Sequence, residues 1–195
     1  MYANKKAELA ARTRALLEDV ARELFEARGF ADVSAEEIVA AAGVTRGALY
    51  HHYGGKDGLF EAVAEAAMRR LHDNIAKAAA GATDPLGALK LGMQRFLELT
   101  TPPRVQRVLF VDAPAVLGWR RWRELDERYG FGLLKQAVDL AIAAGQLRTQ
   151  SSELVAHILL SAMIEAAMLI ANSPRKAELR DESQIMLARL IDGFA

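Results

Sequence analysis

From Ile38 through Lys56 the chain carries no aspartate or glutamate, although 26% of its 195 residues are charged. The same stretch holds Arg46, His51, His52 and Lys56, with the hydroxyls of Thr45 and Tyr50 among them. A run of cationic and hydroxyl donors without carboxylates fits a surface that faces phosphates. Arg46 has the fork geometry to pair with guanine O6 and N7, worth about 1–3 kcal/mol of discrimination. Thr45 and Tyr50 suit phosphate bonds that set register. Gly47 sits inside a helical pattern, where glycine costs roughly 1 kcal/mol against alanine. It therefore asks for a reason, either close approach of DNA to the backbone or close packing of another helix. Gly55-Lys56 offers free amides, the positive end of a helix dipole and an ammonium, a combination suited to phosphate.

Composition removes most other chemistry. The chain has no cysteine, which excludes disulfide scaffolds, Cys-ligated zinc, iron–sulfur clusters and thiol nucleophiles. His51 and His52 are adjacent, so on a helix they point about 100° apart and cannot share a metal as an i, i+4 pair can. No nucleophile turn and no phosphate loop is present. No metal, cofactor or catalytic residue is expected, and the chain is not read as an enzyme. Lys+Arg and Asp+Glu stand at 25 each, so a case for nucleic acid rests on local charge alone.

The elements that must position these residues are helical. Apolar residues recur at three and four, as in Leu17, Val20 and Leu24 or Leu59, Val63 and Ala67, and no sustained alternating run offers a strand. Caps set the expected boundaries. A basic stretch, 1–12, reads as a solvated arm, with a minor-groove arm as the alternative. The first helix is expected over 13–28, ending at Gly29. Ser34 and Glu37 form a capping box for a short second helix that ends at Gly43, and Thr45 caps a third reaching about residue 53. After Gly54-Gly55 a long fourth helix covers 56–80. Asp84-Pro85 opens a fifth, to about residue 100. A sixth follows Pro103 and breaks near 112–114, a seventh covers 119–144 with Gly130 and Gly132 as weak points, an eighth starts at Ser151 or Ser152, and a ninth spans 175–193. This is an all-α chain of about nine helices, divided as 1–56 and 57–195.

The second and third helices, joined at Ala42-Gly43-Val44, have helix-turn-helix spacing. Ile38 and Val44 would pack between them, with Leu49 as anchor, presenting the third helix to a major groove. The stretch from Phe30 to Ser34 and that from Ala41 to Lys56, with its Gly-Val-x-x-Gly-x-Leu-Tyr core, resemble the DNA-binding domain of the tetracycline-repressor (TetR) family of bacterial transcription factors. The likeness covers about residues 12–62. Tyr53 stands where phenylalanine is commoner, and Gly58 weakens the start of the fourth helix. The resemblance implies a homodimer that represses a promoter and is released by a small ligand. It assigns Ser34, Ala35 and Glu36 to the edge of the second helix that approaches DNA. Thr45, Arg46, Gly47 and Ala48 match the exposed start of the third helix, Tyr50 and His51 its DNA-facing side, and Lys56 a phosphate contact. Glu36 can accept from cytosine N4, or serve as a solvated charge favoured by the helix dipole.

The eighth helix is apolar nearly all round, so it must be buried on more than one side. With the ninth it is expected to form a two-fold four-helix bundle across a dimer. Met163, Ile164, Ala167, Met168 and Ala171 are the expected contacts from the eighth, and Met186, Leu190 and Phe194 from the ninth. A two-fold protein requires a roughly palindromic operator. An effector pocket is expected among Met93, Phe96, Phe110, Trp119, Trp122 and Met163, with His72, Asp112 and Glu165 as polar handles. Glu165, read as buried, would need a partner, met by a contact between subunits or by a cationic ligand. Residues 154–171 are membrane-like, but His157, Ser161 and Glu165 interrupt them, so a soluble cytoplasmic protein is expected. The alternatives are an activator of the same fold and a dimeric helical small-molecule carrier without a DNA target.

Overall fold

The structure is a computed structural model that describes residues 2–148 and 151–195, with side chains from residue 7 onward. Among the described residues every regular element is helical and no strand occurs. The chain divides into two compact units, Met1–Ala67 with Arg107–Trp122, and Met68–Gln106 with Arg123–Ala195. The first unit therefore extends past the boundary at 56 that the sequence suggested.

In the first unit, helix α1 spans Tyr2–Arg28 and begins well before residue 13. Ala3, Ala7, Ala10 and Ala11, with Glu8 and Leu9, are strong helix formers uninterrupted by glycine or proline. Charge alone made this stretch look like a solvated arm; the side chains of Lys5 and Lys6 lie outside the described residues. α1 ends where Gly29, at φ 88°, donates its N–H to the Phe25 carbonyl. Helices α2 (Ala35–Ala42) and α3 (Arg46–Tyr53) follow, then α4 (Lys56–Ala79). Leu17, Ala21 and Phe25 of α1 are buried with Ile38 of α2, Leu49 of α3, and Leu59, Phe60, Val63 and Ala64 of α4. These four α4 residues explain the shifted boundary, because the opening turns of α4 close this core. Phe60 meets Phe25 and Phe30 edge-on, at ring-centroid distances of 5.1 and 5.0 Å. Each such pair adds about 0.5–1.5 kcal/mol to plain burial.

The second segment of this unit departs from expectation. A π-helical turn, Arg107–Asp112, leads into α7 (Ala113–Asp126), so the helix does not break at 112–114. Pro114 cannot donate to the preceding turn and its ring would crowd that turn's carbonyl; the wider π turn just before it accommodates both. The chain breaks instead at Gly118, at φ 77° and ψ 155°.

The second unit takes the rest of α4, α5 (Pro85–Thr100), α6 (Pro103–Gln106), a second π turn (Glu127–Phe131), α8 (Gly132–Ala143), α9 (Ser152–Asn172) and α10 (Lys176–Asp192). Asp84 caps α5 by accepting the Gly87 N–H at 2.9 Å. The second π turn falls at the weak points foreseen at Gly130 and Gly132. A Cβ at Gly132 would overlap the Glu127 carbonyl oxygen, and one at Gly130 would lie 2.7 Å from Asp126 Oδ1. α5 packs on α8, α9 and α10, and α9 packs on α8 and α10. By length and composition α9 could cross a bilayer. One face of it, with Val155, Leu159, Met163, Ala167 and Ile170, is nevertheless buried in this unit.

Candidate nucleic-acid interface

The site is assembled by caps. Ser34 Oγ accepts the Glu37 N–H at 3.1 Å, and Glu37 Oε2 accepts the Ser34 N–H at 2.8 Å. The Ser34 N–H, and after it the Arg28 guanidinium at 2.9 Å, hold the Glu37 carboxyl below the usual carboxylate range. Gly43 closes α2 at φ 65°, and nothing lies where its Cβ would be, so the left-handed backbone is its reason. Thr45 then caps α3 by accepting the Ala48 N–H at 3.2 Å. With Ile38 and Leu49 fully buried, α2 and α3 have one register on α1; Val44 is only half-buried.

This register leaves Ser34, Glu36, Thr45, Arg46, Gly47, Tyr50 and His51 exposed, with Ala35 and Ala48 half-buried. The residues singled out in the sequence thus share the rim formed by the starts of α2 and α3. Arg46 Nη1 lies 3.0 Å from Glu36 Oε1, and Arg46 Nη2 donates to the Tyr50 hydroxyl at 3.3 Å. The guanidinium also lies over the Tyr50 ring, 5.4 Å from its centroid. At Gly47 an added Cβ would meet only Thr45 Oγ1, at 3.8 Å. Among the described residues no helix packs there, and a bare stretch of backbone stands on the exposed face.

Lys56 is placed differently from the rest. Its Nζ donates to the Phe30 and Val33 carbonyls, each at 3.0 Å, and lies 3.9 Å from the Phe30 ring centroid. Two of its three N–H groups thus tether the loop between α1 and α2. Asp112, expected as a polar handle for a ligand, accepts the Phe30 N–H at 2.9 Å. Arg107 donates to the Ala27 carbonyl at 3.0 Å, and its Cδ lies 3.2 Å from where a Gly29 Cβ would be. Sequence reading missed this clamp, since its halves lie some eighty positions apart. It also missed the bond from the Tyr53 hydroxyl to Glu18 Oε1, at 2.7 Å. Burial first, and then Glu18, push the Tyr53 hydroxyl pKa up.

The other expected ligand residues divide between the units. Met93, Phe96 and Met163 are buried and His72 half-buried in the second unit. Phe110, Trp119 and Trp122 belong to the first, where Trp122 donates to the Leu109 carbonyl at 3.0 Å and Trp119 is 67% exposed. Glu165 is exposed, contrary to expectation. Leu154, Ile158, Ser161, Glu165 and Leu169 recur at helical spacing along the outer face of α9. Among the expected dimer contacts, Met163, Ala167 and Ala171 face the subunit's own core instead, Ile164, Met168, Leu190 and Phe194 are half-buried, and Met186 is exposed. The second unit also buries Asp126, 8% exposed, beside Arg123 at 3.2 Å. Burial, opposed by Arg123, pushes its carboxyl up to about 6. In the same unit, Phe131 stacks on His157 at 4.1 Å.

Relatives match this chain along most of its length. Residues 17–63 match the tetR family of bacterial regulatory proteins, and residues 86–194 match the tetracyclin repressor-like C-terminal domain. The chain is 38% identical over 104 residues to the HTH-type transcriptional regulator TtgR of Pseudomonas putida, a stretch covering 52% of this chain and 49% of that protein. It thus spans about half the length of that relative. It is 27% identical over 204 residues to the HTH-type transcriptional regulator AcrR of Shigella flexneri, covering 98% of this chain and 94% of the other. A crystal structure of a TetR-family transcriptional regulator from Pectobacterium atrosepticum superposes with a TM-score of 0.78 at 29% identity, covering 96% of each chain. The helix-turn-helix rim and the helical unit that follows it are those of a lineage, and the chain belongs to the tetR family of bacterial regulatory proteins.

Proposed function

We propose that the protein is a soluble, cytoplasmic transcriptional repressor that binds a palindromic operator as a dimer and is released by a small, largely apolar effector. The observation that carries this reading is the exposed rim at the start of α3. There Thr45, Arg46, Tyr50 and His51 stand beside the bare backbone of Gly47, with no acidic residue from Ile38 through Lys56. Ser34, Ala35 and Glu36 form its other edge, Ala48 lies behind it, and the third N–H of Lys56 reaches a phosphate. Two copies pair through α9 and α10; the exposed Leu154, Ile158, Leu169, Ile185 and Met186 support this. Glu165 on the same face of α9 would be covered by the partner copy. The effector would lie in the second unit among Met93, Phe96 and Met163, and no catalytic role is assigned to any residue.

The test is selection of bound duplexes from a random DNA library at about 0.15 M salt. The expected result is a palindrome with half-sites about one DNA turn apart. Activation of transcription from such a site, in place of repression, would be read from reporter output with the site placed upstream of a promoter. Unselective binding would favour a dimeric small-molecule carrier.

A further inference from the structure

Glu36 is an oddity on this rim. Glu37, its neighbour, completes the cap of α2 and bonds Arg28, so the helix start is already served. Glu36 has neither role: its carboxylate stands 63% exposed and pairs with Arg46, also 63% exposed, on the face that meets DNA. An exposed ion pair adds little to stability. At a DNA surface it has a larger effect. An unpaired carboxylate there would be repelled by every duplex, and an unpaired guanidinium would be drawn to the phosphates of every duplex, whatever the sequence. Paired, they cancel. Tyr50 holds the other guanidinium nitrogen and lies under the guanidinium plane, so the arginine lies along α3 and is not extended toward a backbone.

We propose that Glu36 is a specificity-determining residue of the DNA interface, holding the Arg46 guanidinium back from the phosphates of non-operator DNA until a guanine edge takes its place. The inference rests on the repressor reading above. On most sequences Arg46 gains only a phosphate by leaving Glu36, and strands a carboxylate beside the polyanion. On an operator its fork meets guanine O6 and N7 together, and that bidentate bond compensates for the lost partner. Glu36 thus acts against wrong sequences more than it acts for the right one.

The experiment compares the wild type, Glu36→Gln, Arg46→Ala and the double variant on the selected palindrome and on a scrambled duplex of the same length and composition. Binding is titrated between about 50 and 200 mM salt. Glu36→Gln is expected to tighten binding to the scrambled duplex by about three- to tenfold and to steepen its salt dependence by about one phosphate contact per subunit. The palindrome gains less, so the selectivity ratio falls. With Arg46→Ala already present, Glu36→Gln changes binding to both duplexes by the same factor and the ratio stays put. If Glu36→Gln alone, with Arg46 intact, gave equal gains on both duplexes or no gain at all, the inference would be overturned and the repressor reading left intact. A wild type with no preferred duplex would overturn both.

Discussion

Lys56 heads α4 and, through the same ammonium, fastens the loop between α1 and α2. Its place in the sequence, after Gly54-Gly55 and at the head of α4, suits a phosphate. In the fold, the same ammonium ties down the carbonyls of Phe30 and Val33. Lys56→Ala is therefore expected to lower the unfolding free energy by about 1.5–3 kcal/mol, through loss of charged hydrogen bonds. It should also flatten the salt dependence of DNA binding by about one contact. Urea unfolding and a salt titration separate the two; a destabilised variant with an unchanged slope would make Lys56 a tether alone. Gly47 runs the other way: its spacing allows DNA approach or helix packing, and among the described residues only Thr45 Oγ1, at 3.8 Å, lies near its Cβ position.

Among the elements, the junction of α3 and α4 depends on Gly58. Read along the chain, this glycine only weakens a helix start. In three dimensions a Cβ there would overlap the Tyr53 carbonyl oxygen, because the first turn of α4 closes directly onto the end of α3. Helix propensity favours alanine at this position by about 1 kcal/mol, and the overlap opposes it. Gly58→Ala is expected to destabilise the protein by about 1–3 kcal/mol, because the obstacle is backbone and cannot rotate away. The urea midpoint decides; a variant more stable than the wild type would mean that the junction yields easily. Tyr53 secures the same junction from its other end through Glu18, which gives the hydroxyl absent from phenylalanine a structural use. The two π turns belong to this scale as well, one ahead of Pro114, whose ring a regular α-turn would crowd, and one beside Gly130 and Gly132, where the backbone leaves no room for a Cβ.

Across the whole molecule, stability should respond to the burial of Asp126. Its carboxyl is pushed up to about 6 in the fold, against 3.8 for an unperturbed side chain. Between these values the folded protein binds more protons than the unfolded chain, so stability falls as pH rises from about 4 to about 6 and then levels off. The shift corresponds to about 2–3 kcal/mol. Asp126→Asn is expected to remove this part of the pH dependence, as measured by unfolding midpoints of both proteins across that range. Parallel curves would place the carboxylate in better-solvated surroundings than its burial implies.

The order of amino acids alone specifies the helical class, the caps at Ser34, Thr45 and Asp84, the turn at Gly43 and the acid-free stretch around Arg46. All of these are local: a cap, a helical period and an acid-free window lie within one continuous stretch of chain, so spacing expresses them directly. Packing settled the uses that depend on distant partners. It gave Asp112 to the Phe30 amide and Lys56 to two carbonyls. It turned Met163, Ala167 and Ala171 inward and Glu165 outward, and it buried Asp126. A helix that is apolar nearly all round has no preferred face in its own sequence, and which face is covered is set only when other helices pack against it.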